Sequence, residues 1–369
     1  MADTSRPTVH LRVPGGRRHL FFFRKMVKKP DAPLEPGSIV DVVDRAGAPV
    51  GCAFWNPQSE IALRMLGPSG EGLIERRLRE AIAFRDSLRI NADCWRVCHS
   101  EGDGLSGLVV DRYGPVHSVE LFSLGMYRQV SLLRGLLPNA WIRADARAQD
   151  LEGFRAEDDL APAPVVVHEH GVSFRVDFAR GHKTGFFCDQ RENRREVASL
   201  AKGRSLLDLC CYTGGFGVAA GAAGASRVLG VDMDQEALST ARANARLNRV
   251  TAEFRHANVF DHLRTSTDTW DVVVLDPPKM ARDKGELGKA RRGYHDMNRL
   301  AARAVKPGGV LVTCSCTGLV SEEEFLGIVR EACEREVRIF RVAGAGPDHP
   351  VSSLYPEGRY LKVVYARVV

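Results

Sequence analysis

The feature that most constrains this chain is an alternation that sets in near Gln190, where short apolar runs take turns with segments of helical composition. The runs are SLLDLCC, RVLGVDM, DVVVLDPP and GVLVTCSC; between them lie a small-residue helix, a helix to Leu247 and a helix to Val305. Strands that alternate with helices build a doubly wound α/β sheet. In such sheets ligands sit outside the carboxyl ends of the strands, so the turns that close these runs are where chemistry is expected.

The first run ends at Asp208 and is followed by Gly214, Gly215 and Gly217 at the mouth of a helix rich in Ala and Gly. Glycine there lets the backbone approach a ligand and lets helix pack on strand. Several kinds of nucleotide binder would satisfy that turn. The second run ends at Asp232, where a carboxylate can accept hydrogen bonds from the ribose hydroxyls of an adenosine ligand, and Asp234 is placed to cap the next helix. The third ends in Asp276-Pro277-Pro278-Lys279, a carboxylate on a stiffened turn at the same edge. A nicotinamide dehydrogenase has no use for this further acidic turn.

The amino-terminal half has a different texture. Residues 1 to 30 hold eight Lys or Arg against the single acidic Asp3, so most of the net charge of +6 sits there and suits a phosphate backbone. Apolar runs Ile39 to Val43, Val50 to Trp55 and Ile61 to Leu66, broken by turn signals, predict a small β-barrel. Residues 71 to 89 read as helix. Strand-like runs at 107–113, 116–122, 165–168 and 172–178 predict a mixed α+β segment. The expected division is therefore a barrel with a basic arm over 1–70, a middle domain over 71–182 and the alternating domain over 183–369.

With 369 residues and 44% hydrophobic composition, two or three globular domains are expected. No run approaches a membrane span and no leader pattern stands at the start. Nine cysteines in that setting fit a reducing, cytoplasmic compartment, and none of their spacings is that of a structural zinc site, so no metal is expected.

The combination of DLCCYTGGFG, GVDMD, DPPK and CSCTG resembles the Rossmann-like class I S-adenosylmethionine methyltransferases, and the preceding HKTGFFCDQRENR is similar to the entry segment of one branch of them. That branch is the family of large-subunit ribosomal RNA methyltransferases that make 5-methylcytosine; the segments GCAFWNPQSEIALRML, SEGDGLSGLVVDRYG and DHPVSSLYPEGRYLK extend the likeness over nearly the whole chain. The resemblance implies a PUA-type, RNA-binding barrel and S-adenosyl-L-methionine as cofactor. It implies that Asp232 holds the ribose with Met233 beside it, that Asn258 lies by the adenine, that Gln190 and Arg191 flank the methionine moiety, and that Asp208, Thr213, Gly214 and Gly217 shape the cofactor loop. Asp276 would lie near the methionine or the target base. Where the family more usually has His-Pro-Trp, this chain has Leu20 and Phe21, while Arg17, Arg18, Arg24 and Lys25 remain as candidate RNA contacts. Expected partners are large-subunit ribosomal RNA and, for quaternary state, a second copy of the chain, with no membrane.

Carbon 5 of cytosine is a poor nucleophile, so its methylation benefits from a thiolate that adds to carbon 6 and pushes electron density to carbon 5. Cys314 and Cys316 compete for that role, and if strand geometry persists they share a face. The family's Ser-Cys-Ser/Thr-Gly motif corresponds to Ser315, Cys316, Thr317 and Gly318, which makes Cys316 the nucleophile and Asp276 a partner that polarises the base. Glu357 is a candidate for taking the carbon 5 proton. Two rival readings are a non-covalent RNA guanine methyltransferase, which would not need the late cysteine, and a catalytically idle RNA-binding assembly factor, which would not need the acidic turns.

Overall fold

The computed structural model describes residues 6–15, 19–68, 72–179 and 186–369, and the candidate contacts Arg17 and Arg18 lie outside the described residues. Contacts divide the chain into two compact units. One runs to Ile90, resumes over Cys94–Pro162 and takes in Pro347–Gly358; the other comprises Asn91–Asp93, Ala163–Gly346 and Arg359–Val369.

In the first unit a five-stranded sheet has the order Thr8–His10, Ile39–Val43, Pro49–Trp55, Ile61–Gly67, Phe21–Phe23. Alternating residues such as Val40, Val42, Ala53, Trp55 and Leu63 turn inward and make its core with Val9, Leu11 and Phe22. A second sheet, Cys94–His99, Leu108–Tyr113, Val116–Leu121 and Ala140–Ala144, packs its apolar face with the helix Leu73–Ser87 around Leu78, Val110, Val119 and Ile142. Phe54 and Leu66 of the first sheet belong to this same core. The buried Glu152 carboxylate accepts from Asn56 Nδ2 at 3.0 Å, Ser59 Oγ at 2.9 Å and Arg64 Nη2 at 2.9 Å. A carboxylate out of water persists only with such partners.

The second unit is the alternating half. Its elements are α1 (Arg191–Ala201), β1 (Ser205–Leu209), α2 (Gly215–Ala222), β2 (Arg227–Asp232), α3 (Gln235–Leu247), β3 (Glu253–His256), α4 (Val259–Thr265), β4 (Trp270–Leu275), α5 (Leu287–Arg303), β5 (Val305–Ser315), α6 (Glu322–Ala332), β6 (Val337–Ala343) and β7 (Lys362–Val368). A hairpin, Val165–Glu169 with Val172–Val176, precedes them. The sheet order is β3-β2-β1-β4-β5-β7-β6. The first five strands are parallel, and β7 runs against both β5 and β6.

Strands buried on both faces need continuous apolar sequence, and Leu206, Leu207, Leu209, Val272, Val273, Val274 and Leu275 supply it, each contributing about 1.5–3 kcal/mol on burial. Asp234 caps α3 as expected, its Oδ1 accepting from the N–H groups of Glu236 at 2.9 Å and Ala237 at 3.0 Å. Register places Asp208 opposite Val274 and Gly230, Leu275 opposite Thr313, and Ser315 opposite Lys362. The carboxyl ends of the parallel strands and the start of β7 therefore meet at one edge. Among the described residues no helix is long and apolar enough to cross a membrane.

Candidate functional site

Three carboxylates stand at that edge: Asp208 near the end of β1, Asp232 closing β2 and Asp276 just past β4. Asp208 is wholly buried; its Oδ2 accepts from the Gly217 N–H at 2.9 Å, and its Oδ1 has no hydrogen-bond partner among the described residues. Burial first, then the charges of Asp276 and Asp232, push its pKa up to about 8.

The loop after Asp208 is wound through the left-handed region at Cys210 (φ 59°), Tyr212 (φ 49°) and Gly214 (φ 78°). For the two non-glycine residues that conformation costs about 1–3 kcal/mol each. It aims the Tyr212 N–H at Asp232 Oδ2, 2.8 Å away, while Asp232 Oδ1 accepts from the Asp234 N–H at 2.9 Å. The Thr213 carbonyl is held by Asn244 Nδ2 of α3 at 3.0 Å. Asn258 caps α4 through Oδ1, which accepts from the Phe260 N–H at 2.9 Å, and its Nδ2 lies 3.4 Å from the sulfur of the exposed Met233. Asp232, Met233 and Asn258 thus share one corner.

Asp276 is half-buried, and its Oδ2 accepts from Gln190 Nε2 at 3.0 Å. Burial, and next the neighbouring charge of Asp189, push its pKa up to about 7, with the Cys314 thiol hydrogen-bonded to the carboxyl. Gln190 Oε1 accepts from Asn193 Nδ2 at 2.8 Å, and Asn193 Oδ1 in turn accepts from the Tyr365 hydroxyl at 2.9 Å. Asp189 Oδ2 accepts from the Tyr360 hydroxyl at 2.5 Å, and its buried Oδ1 has no hydrogen-bond partner among the described residues. Arg191 is buried with its Nε 3.1 Å from Glu192 Oε1. Arg194 forks onto the buried Glu169 at 2.5 and 2.8 Å, and its charge draws Asp208 and Asp276 partly back.

The two cysteines are placed differently. Cys314 is fully buried in β5 beside Asp276, and burial lifts its thiol well above the usual range. The β5 strand ends at Ser315, and Cys316 sits half-buried just beyond it, against the same core as Cys314, its sulfur 4.0 Å from the Pro277 carbonyl oxygen. Thr317 fixes the chain here. Its Oγ1 accepts from the Met280 N–H at 3.1 Å and shares a hydrogen bond with the Tyr294 hydroxyl at 2.8 Å, tying the turn after β5 to the Asp-Pro-Pro turn after β4.

Asp189, Asn193, Tyr360 and Lys362 are brought to this edge without having been singled out in sequence, and Thr317 was named there only as part of the cysteine motif. Asp189 is adjacent to Gln190 in CDQR, and Tyr360 and Lys362 lie within RYLK, so the quoted segments contained them. In the first unit, Arg24 and Lys25 lie on the short helical turn Arg24–Met26, Arg24 pairing with Glu60 at 2.5 Å. Glu357 belongs to the same unit, 3.7 Å from His19 Nε2.

Two carboxylates with raised pKa values, and buried oxygens on Asp208 and Asp189 without a hydrogen-bond partner among the described residues, describe an edge with acceptors to spare. A ligand bearing a sulfonium and an ammonium, with ribose hydroxyls to offer, fits it.

A sequence profile described as S-adenosylmethionine-dependent methyltransferase matches residues 142–342, and one described as a PUA-like domain matches residues 16–68. The chain is 37% identical over 96% of its length, and 96% of the other's, to the Ribosomal RNA large subunit methyltransferase I of Erwinia tasmaniensis. It is 37% identical over 95% of its length to the protein of the same name from Shewanella frigidimarina, 96% of which is covered. Among solved structures, a protein described as a methyltransferase, complexed with SAH, superposes with a TM-score of 0.82 at 20% identity, over 99% of this chain and 100% of that one. That last likeness speaks for the fold.

Proposed function

The chain belongs to the S-adenosylmethionine-dependent methyltransferases and carries a PUA-like domain, and from that premise we propose that it methylates carbon 5 of a cytosine in large-subunit ribosomal RNA by way of a Cys316 adduct. The observation that carries the reading is the placement of Cys316: accessible at the strand edge, on a turn pinned by Thr317 to the Asp276-Pro277-Pro278 turn. A guanine methyltransferase working without an adduct has no task for a thiol held there.

S-adenosylmethionine supplies an electrophilic methyl group on a sulfonium. Asp232 would accept from the ribose hydroxyls, with Met233 and Asn258 beside the adenine; Asp208, Thr213, Gly214 and Gly217 would shape the loop around it, and Gln190 and Arg191 would border the methionine end. The Cys316 thiolate adds to carbon 6 of the cytosine, and the electron pair displaced toward carbon 5 takes the methyl group, whose bond to the sulfonium breaks with its electron pair left on a neutral thioether. Asp276, with a pKa near 7, is part-protonated at neutral pH and donates a hydrogen bond to the ring nitrogen as charge builds there. Carbon 5 then loses its proton to a base, and the bond from Cys316 to carbon 6 breaks, returning the thiolate.

The target base must leave its stack to reach this edge, so a loop, a bulge or incompletely assembled RNA is the substrate. Arg24, Lys25 and the rest of the basic amino-terminal segment supply phosphate contacts. Nucleoside mass spectrometry of ribosomal RNA from cells lacking and regaining the gene tests the reading. A 5-methylcytosine that returns with the wild type but not with Cys316→Ala is the expected result; a methylguanine, or no change, overturns it.

A further inference from the structure

We propose that Lys362 is the positioning cation of Cys316, a buried ammonium that fixes the turn carrying the thiol and favours its thiolate form. The inference rests on the reading of Cys316 as nucleophile and concerns what makes it one.

Lys362 opens β7 opposite Ser315, the residue before Cys316, and is only 2% exposed. Lysine is almost never so buried without an anionic partner. Yet among the described residues no carboxylate forms an ion pair with it: its Nζ donates to the carbonyls of Thr317 at 2.7 Å, Val320 at 2.8 Å and Tyr360 at 2.9 Å. Thr317 and Val320 bracket the turn that follows Cys316. Thr317 is thereby held twice, through its hydroxyl by Met280 and Tyr294 and through its carbonyl by Lys362.

Three carbonyls could be satisfied by neutral donors, so the charge needs its own account. The anionic groups that feel it are Cys316 first, then Glu322 and Glu324. Both glutamates have arginine partners, Arg359 at 2.7 Å and Arg291. Burial brings the pKa of Lys362 down to about 8, which still leaves most of it charged at neutral pH. A cation beside a thiol lowers the cost of ionising it, as at other reactive cysteines. The Pro277 carbonyl, 4.0 Å from the sulfur, favours the protonated thiol instead, and the ammonium opposes that bias.

The test reads the thiol itself. In the full chain, site-resolved alkylation of Cys316 by iodoacetamide is followed against pH in the wild type, Lys362→Gln and Lys362→Arg, with S-adenosylmethionine binding by calorimetry as a check of folding. Gln keeps a donor and removes the charge, so its alkylation midpoint rises by about one pH unit and the rate at pH 7 falls about tenfold. Arg keeps the charge and leaves the midpoint at or below that of the wild type. A Gln profile that superposes on the wild type's, with binding intact, overturns the proposal and reduces Lys362 to a structural tie. If Gln abolishes binding, Arg decides: a midpoint raised by a unit or more despite the retained charge overturns it. Because alkylation does not depend on methyl transfer, these outcomes are separate from survival of methylation in Cys316→Ala, which would sink the nucleophile reading.

Discussion

Gln190 donates its side-chain amide to Asp276 at 3.0 Å and so ties the entry to α1 to the end of β4. The bond matters most when Asp276 is ionised, because a hydrogen bond to a charged group is worth about 1.5–3 kcal/mol and a neutral one about half of that. Gln190→Leu is therefore expected to destabilise the protein by about 1.5–3 kcal/mol at pH 8, above the Asp276 pKa of about 7, and by clearly less at pH 5.5. Urea denaturation at the two pH values measures the difference; an equal loss at both would mean that the amide serves Asn193 rather than the carboxylate.

The raised pKa values of Asp208, about 8, and Asp276, about 7, set a sign for cofactor binding. Both exceed the ordinary carboxylate value, so between pH 4 and 8 the folded protein holds protons that the unfolded chain has released. Their contribution to stability is then fully present near pH 4 and is lost as pH rises through 7 to 8. A cationic ligand favours the ionised carboxylates. S-adenosylmethionine binding near pH 7 should release protons, and its affinity should rise from pH 6 to pH 8. Calorimetry in buffers of different ionisation enthalpy counts the protons, and net uptake would contradict this account.

Much of the edge was legible because its chemistry rides on strand ends. Asp208, Asp232 and Asp276 each close an apolar run, and sheet topology alone brings such positions together. Asp234 as cap and the strands at 39–43 and 61–66 followed from turn and pattern signals in the same way. The strand Thr8–His10 did not, being too short to show a period of two before it finds a partner. What lay beyond the reach of pattern was the pairing of side chains across distant segments. Cys314 and Cys316 look equivalent in VTCSCTG, and only burial separates them, Cys314 lying inside β5 and Cys316 half-buried past its end, next to the Thr317 that is bonded to Met280 and Tyr294. Lys362 reads as one more cation near the end of the chain until β7 sets it opposite Ser315.

Phe254 of β3 fills space that two glycines leave open. A Cβ on Gly230 would stand 2.6 Å from its Cδ1 and 2.9 Å from Cys211 Sγ, and one on Gly214 would stand 3.0 Å from its Cε1. Gly230→Ala should cost about 1–3 kcal/mol through overpacking, read as a lowered urea midpoint with unchanged slope. Adding Phe254→Leu should recover part of the loss, since it removes the ring that the new methyl strikes. A double variant less stable than the sum of the two single effects would place the clash elsewhere.

The sharpest contrast is between the two cysteines of the β5 turn. Cys316→Ala removes the group that adds to carbon 6, and loss of a covalent nucleophile is expected to lower methylation by at least about a thousandfold. It leaves Asp208, Asp232 and Gln190 untouched, so S-adenosylmethionine affinity should stay within a few-fold of the wild type. Cys314→Ala does the reverse kind of damage: it takes a buried thiol from Asp276 and leaves a small void, at a cost of about 1–2 kcal/mol in stability. Its methylation should fall only several-fold, with the pH profile altered because the Asp276 carboxyl has lost a donor that favours ionisation. Without that donor the Asp276 pKa rises, so the protonated form persists to higher pH and the alkaline limb of the profile should shift upward. Methylation assays with purified ribosomal RNA across pH 6 to 9 measure both variants together. Equal activity losses at the two positions would show that the chemistry needs both thiols, and the division of labour drawn from burial would fail.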